Sequence, residues 1–378
     1  MSDSAYECDR RTILGGLTAG LGATFLTMSV RASGPGFDAT VAPPGATRPL
    51  ARHHVTTLEA AFAVARRDGG RHPFRIWVGR GDHVGQLSVD VPDVHLVGEH
   101  RTATRLTFEA ASGEIAPDGK HWGTFRTAVL TVRAPGFRAH NLTIQNSFDG
   151  IAEMRKHGPR LLSDDPNGPQ AVALMLADGS DRAVLDGVDI VSNQDTFFPN
   201  AGRTLVRNSR ISGSYDFIFG AGTALFSSCE IHSRLRPDPA QVTGYIAAPS
   251  TLRTTAVGLV FDRCRLTRDA GVADGSVYLG RPWRPSKQFA DGHYGDPDAV
   301  GMAACLDCWM DAHISPAGWT EMWYTDKAGD PRHMLQPEDA RFCEFDSDGP
   351  GARGKRRGKM LTAREAAALL ATVNRRTF

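Results

Sequence analysis

Five stretches of the chain repeat one hydrophobic and polar pattern, in which a polar corner is followed by two inward-type positions on either side of a polar one. They are His140-Asn141-Leu142-Thr143-Ile144, Asp186-Gly187-Val188-Asp189-Ile190, Arg207-Asn208-Ser209-Arg210-Ile211, Ser227-Ser228-Cys229-Glu230-Ile231 and Asp262-Arg263-Cys264-Arg265-Leu266. Their last residues are separated by 46, 21, 20 and 35 positions. A base interval of about 20 to 23, taken singly, doubled, and once enlarged by a loop, is the signature of a solenoid whose turns bury apolar side chains against one another. The pattern predicts an all-β protein, a right-handed parallel β-helix. Forty glycines and 22 prolines supply its corners.

Two segments have helical spacing, one near each end of the β pattern. Thr56 and Glu59 stand in capping-box relation before Leu58 to Ala65, and Thr362 and Glu365 repeat it before Ala366 to Leu370. Both are expected as short capping helices, because an open β-solenoid exposes a strand edge at each end that must be protected from edge-to-edge association.

The first residues have the pattern of an address. Arg10 and Arg11 precede the weakly apolar run Ile13 to Val30, which Gly15, Gly16, Gly20 and Gly22 interrupt, and Val30-Arg31-Ala32 offers a small-residue cleavage site. Residues 1–32 are therefore expected to be a twin-arginine export signal, which implies a secreted, extracellular protein with no stable membrane span once mature. Residues 33–50, rich in Gly, Pro, Ala and Thr, are expected to be a linker, and residues 51–378 one β-helical catalytic domain. Met154 to Asn167 has the composition of a long loop.

Charge selects no partner. The formal net charge is +1, and removing residues 1–32 takes away three basic and three acidic residues, so it stays there. Nucleic-acid binding is not suggested; the local basic run Arg353, Lys355, Arg356, Arg357 and Lys359 is expected to be a solvated loop before the terminal helix. Of six cysteines, Cys8 lies in the expected signal, and the odd number left excludes a dense disulfide framework. Cys305-Leu306-Asp307-Cys308 has the spacing of a redox or zinc pair, but no second pair completes a metal site. No metal and no cofactor are expected, and the protein is expected to be a monomer.

Candidate chemistry begins with Asp195 and Asp216, which are 21 residues apart, about one turn of the solenoid. Neighbouring strands of a parallel sheet lie about 4.7–4.9 Å apart. Two carboxylates stacked at that spacing influence each other's ionisation, which is how an acid and a base are made from one residue type. Gln170 precedes Gln194 by 24 residues, again about one turn, so Gln170, Gln194/Asp195 and Asp216 form a ladder. Gln194 and Asp195 are chain neighbours and would face opposite sides of a regular strand, so the backbone must turn there for both to face substrate. Phe217 and Phe219 are expected in the core, on the face opposite Asp216.

Four islands now stand in order: Gln170-Ala171-Val172-Ala173-Leu174, Gln194-Asp195-Thr196-Phe197, Asp216-Phe217-Ile218-Phe219-Gly220 and Leu279-Gly280-Arg281-Pro282-Trp283. In these islands, and on through Cys308-Trp309-Met310-Asp311 and Pro337 to Phe342, the chain resembles the pectin methylesterases over most of residues 51–352. The resemblance implies Asp216 as nucleophile, Asp195 as general acid and base, Gln170 and Gln194 as oxyanion donors, Arg281 as the group that orients and ionises Asp216, and Trp283 as a sugar contact. It implies methylesterified homogalacturonan as substrate, no cofactor, and hydrolysis to galacturonate and methanol through an acyl-enzyme anhydride. One element departs from it: Gly81-Asp82-His83-Val84-Gly85 stands where many members carry Gly-x-Tyr-x-Glu. A β-helical esterase or thioesterase for another acyl group and a non-catalytic polysaccharide-binding solenoid are the competing readings. A pectate lyase would need a calcium-binding acidic cluster, and a serine hydrolase would need a Gly-x-Ser-x-Gly elbow, which does not occur.

Overall fold

The computed structural model describes residues 36–68, 73–157, 168–236 and 242–377. The sequence period is a rung of three strands. Phe197–Pro199, Arg203–Arg207 and Arg210–Gly213 make one rung, and Tyr215–Gly220, Thr223–Ser227 and Glu230–Ser233 stack on them in parallel register. The three strand positions build three parallel sheets of 12, 8 and 7 strands, a parallel β-helix. Residues that the period places inward form one continuous core, among them Phe197, Phe217, Phe226 and Phe261, each at 0–2% exposure.

The five sequence repeats are the corner where each rung leaves the 12-stranded sheet for the 8-stranded one. Asn141, Gly187, Asn208, Ser228, Arg263 and, one rung further, Asp307 all have φ between 50° and 64°. A single left-handed residue turns the chain tightly, at a cost of roughly 1–2 kcal/mol for a non-glycine. The next residue then points inward. Leu142, Val188, Ser209, Cys229, Cys264 and Cys308 stack there as a buried column. Each thiol donates to a carbonyl of the preceding rung: Cys229 to Val206, Cys264 to Phe226 and Cys308 to Phe261, all at 3.4 Å. The Cys305/Cys308 spacing is thus the spacing of a strand residue and a corner residue. All five cysteines among the described residues are buried free thiols.

Three expectations change in detail. The stretch 33–50 is more than a linker, because Phe37–Val41 is a strand of the 12-stranded sheet, paired on both edges, with Ala39, Thr40 and Val41 fully buried. The small or β-branched Ala39, Thr40 and Val41, all buried, let this Gly- and Pro-flanked segment add a rung. The first helix, Leu58–Arg67, is capped by Thr57, whose hydroxyl accepts from Ala60 N, and not by Thr56. Met154–His157 ends a helix, Gly150–His157, where a loop was expected; residues 158–167, like the expected signal in 1–32, lie outside the described residues. No helix among the described residues is long and apolar enough to cross a membrane.

At the other end the expected capping box is present: Thr362 Oγ1 accepts from Glu365 N, and Glu365 Oε2 accepts from Thr362 N. The helix it starts, Ala363–Thr377, runs back along the outer face of the 12-stranded sheet. That face carries Leu225, Val260, Ala304 and Leu306, and Ala366 and Val373 cover them. The basic run before it is not simply solvated. Arg356 donates to Ser315 O and Gly351 O beside the Glu344 carboxylate, and Arg357 binds Glu321, Gln336 and Glu338. These bonds tie the last rungs together.

Candidate active site

The 7-stranded sheet carries the candidate residues. Isolated bridges join Gln170 to Gln194 and Gln194 to Tyr215 on three successive rungs. Asp195 and Asp216 each follow a bridged residue, so they lie side by side one rung apart. The turn required between Gln194 and Asp195 is present: Asp195 has φ 59° and Asp216 has φ 46°. Non-glycine residues held in this region cost of order 1–3 kcal/mol and persist where the surroundings over-determine them. Here the rungs above and below do so, with Asp195 N donating to Tyr215 O at 3.1 Å.

The same distortion reverses one sequence expectation. The strand Tyr215–Gly220 is out of step with its neighbour between Tyr215 and Ile218. A bulge shifts the in-and-out alternation by one. Phe217 and Ile218 therefore both enter the core, while Phe219 faces outward into the groove and does not lie beneath Asp216. Gly213 makes the bulge feasible, since a Cβ there would sit 2.2 Å from Phe217 Cβ. Phe219 stacks on Phe198 at 4.3 Å, Phe198 on Phe125 at 4.9 Å, and Trp283 leans against both Phe198 and Phe219.

Gln170, Gln194, Asp195, Asp216 and Trp283 line one open pocket, together with Thr124, Phe125, Phe219, Ala248, Met322 and Trp323. Arg281 sits behind it, 4% exposed. Its Nε donates to Asp216 Oδ1 at 3.0 Å and its Nη2 to Oδ2 at 2.6 Å, a two-pronged pair. The guanidinium also lies over the rings of Tyr245 at 4.2 Å and Tyr215 at 4.8 Å. Gly280 allows this approach, because a Cβ there would meet Ala247 O at 2.5 Å. The sequence offered no signal for the tyrosines or for the pocket residues outside the islands. Phe125 comes from a 3₁₀ turn, and Met322 and Trp323 from a hairpin outside the three stacked sheets, and only folding brings them to the groove.

Electrostatics separate the two acids. Burial pushes Asp195 well above the ordinary carboxylate range, the charge of Asp216 pushes it further, and Arg281 only partly opposes them. Burial pushes the pKa of Arg281 down most strongly, but the Asp216 carboxylate together with Tyr215 and Tyr245 more than offsets it and raises the pKa. The pocket therefore sets a carboxyl whose protonated form burial favours beside a second carboxyl group forked by a guanidinium. Two carboxyl groups in unlike surroundings and two glutamine side chains around one open space suit acyl transfer. Asp326, Asp330 and His333 bring potential ligand atoms within 4.8 Å of one another, but they are not among the pocket's lining residues.

Known proteins resemble the chain over most of its length. A family model described as Pectinesterase matches residues 39–373. The chain is 39% identical over 310 residues to Pectinesterase A of Dickeya dadantii (strain 3937), covering 81% of this chain and 83% of that one. It is 28% identical over 310 residues to Pectinesterase 2 of Citrus sinensis, covering 81% and 51%. Among solved structures it is similar to a pectin methylesterase in complex with a hexasaccharide, with a TM-score of 0.81 and 37% identity over 88% of this chain and 94% of that one. A pectin methylesterase from Yersinia enterocolitica matches with a TM-score of 0.77 and 39% identity, covering 83% and 96%.

Proposed function

The chain belongs to the pectinesterase family, carboxylic ester hydrolases, and from that premise we propose that it hydrolyses the methyl esters of homogalacturonan with Asp216 as nucleophile. The observation that carries this reading is the pair of neighbouring aspartates, one buried so that its protonated form is favoured and the other gripped two-pronged by Arg281, beside two glutamine side chains. Asp216 attacks the ester carbonyl carbon, and the amides of Gln170 and Gln194 donate to the oxyanion. Asp195 protonates the departing methanol, leaving an anhydride on Asp216. Asp195, now a carboxylate, takes a proton from water; the water attacks the anhydride and frees Asp216. Trp283 and Phe219, backed by the buried Phe198, offer an aromatic wall for the sugar ring.

Arg281 has two tasks, to keep Asp216 charged and to fix the plane of its carboxylate. Lysine keeps the charge and loses the fork. Arg281→Lys is expected to lower kcat about 10- to 100-fold, the equivalent of a charge-assisted hydrogen bond or two. Steady-state kinetics on methylated pectin, with circular dichroism to verify folding, check it. Wild-type kcat in the lysine variant would show that the guanidinium geometry is not used.

The function itself is tested by following methanol and chain length in one reaction after exhaustive chelation. Methanol is expected without shortening of the polymer. New unsaturated ends would indicate a lyase, and a higher specificity constant for a small acyl thioester would favour the other-acyl reading. The export reading is supported by the five free buried thiols among the described residues, which suit a protein folded before it crosses a membrane. Replacement of Arg10-Arg11 by Lys-Lys should leave the product inside the cell.

A further inference from the structure

One lip of the groove is a hairpin that the mechanism does not use. Its strands Met322–Tyr324 and His333–Leu335 pair antiparallel, and Met322 and Trp323 reach the catalytic pocket. The base of the hairpin is fixed: Glu321 accepts from Arg357 at 2.5 Å, and Arg284, the residue after Trp283, lies over the Tyr324 ring at 4.6 Å. A Cβ at Gly295 would meet Tyr324 at 2.6 Å, so that ring is closely seated. Trp323 is therefore held in place from below.

Over Trp323 lies the guanidinium of Arg332, 5.1 Å from the ring centroid. Arg332 is exposed. Among the described residues no carboxylate stands within salt-bridge distance of its guanidinium. The acids nearest in sequence are engaged elsewhere: Asp330 accepts from the backbone N of Arg332, and Asp326 from Asp330 N. A flat guanidinium held on an indole keeps its outer edge free, and that edge matches a carboxylate in plane. The proposed product carries such carboxylates, whereas its fully methylated substrate carries none.

We propose that Trp323 and Arg332 form a specificity subsite for a free carboxylate on a galacturonate unit near the one being de-esterified. The inference rests on the methylesterase reading above and deepens it. The indole supports the sugar unit, Arg332 reads its charge, and a carboxylate formed in one turnover helps to seat the chain for another. Arg332 touches no reacting atom, so it acts on binding and not on the chemical step.

The test uses the full chain and two oligogalacturonides of one length, one fully methylated and one partly de-esterified, with methanol release as the readout. The wild type is expected to show the lower KM on the partly de-esterified substrate at low salt. That advantage should shrink as salt screens the pair. In Arg332→Gln, KM should rise about three- to fivefold on the partly de-esterified substrate alone, the range of an exposed ion pair, with kcat on either substrate near wild type. Arg332→Lys should recover part of the loss. Equal rises on both substrates, no rise on either, or a preference insensitive to salt would overturn the subsite. A wild type that releases methanol from neither substrate would instead overturn the methylesterase reading, and is told apart by that total silence.

Discussion

Asp216→Asn is expected to fold and to release methanol about 10⁴-fold or more slowly than the wild type, the scale seen when a nucleophile is removed from a covalent mechanism. The amide keeps the shape of the side chain and its place on the bulge, but it cannot attack a carbonyl carbon or form an anhydride. Stability should fall as well. Arg281 is 4% exposed and would lose the carboxylate that holds both of its donors. Breaking a buried ion pair by removing one partner costs about 3–5 kcal/mol; the Tyr215 and Tyr245 rings and the remaining amide oxygen should soften that. Methanol assays, pectin binding and thermal melts on the same preparation separate the two effects. A folded variant with more than a few per cent of wild-type activity would remove Asp216 from the nucleophile's role.

Asp195→Asn is expected to lower kcat about 10²- to 10⁴-fold, the usual contribution of general acid and base catalysis, with a smaller effect on KM. The pH dependence follows from the raised pKa of Asp195, caused first by burial and then by Asp216. In the wild type the acid form must protonate methanol, so activity should decline as pH rises through that raised value. In the asparagine variant this limb should vanish from the residual activity. Stability carries the same sign: a carboxyl whose folded pKa is raised adds stability below its unfolded pKa, and that stability is lost as pH rises through the folded value. The variant should therefore melt above the wild type at alkaline pH and lose the advantage towards acid pH. Identical melting differences at all pH values would show that Asp195 is not held protonated.

Much of this was legible before folding because a solenoid is nearly one-dimensional: each rung contacts only its neighbours, so the repeat in the chain is the repeat in space. The corner pattern from His140-Asn141-Leu142 onward became a column of left-handed residues and buried side chains, and the 21-residue interval between Asp195 and Asp216 became one rung. Where reading stopped at spacing, it missed. Phe219 looked like core by alternation, Thr56 looked like the cap where Thr57 is, and Phe37–Val41 was hidden by a linker-like composition. Each depends on a neighbour that the local pattern does not contain.

The sequence by itself determined which residues could do chemistry and the interval at which they would stack, since both are properties of residue type and period. Tertiary structure decided their directions. The bulge after Tyr215 turned Phe219 to the groove, Arg281 came from 65 residues away to pin Asp216, and the hairpin placed Trp323 and Arg332 on the rim. Period-two alternation and helical spacing are local, while a bulge, a buried ion pair and a groove wall exist only when distant rungs and insertions fix each other's backbones, and so the polarity of the two aspartates was set by burial and charge that no stretch of sequence carries alone.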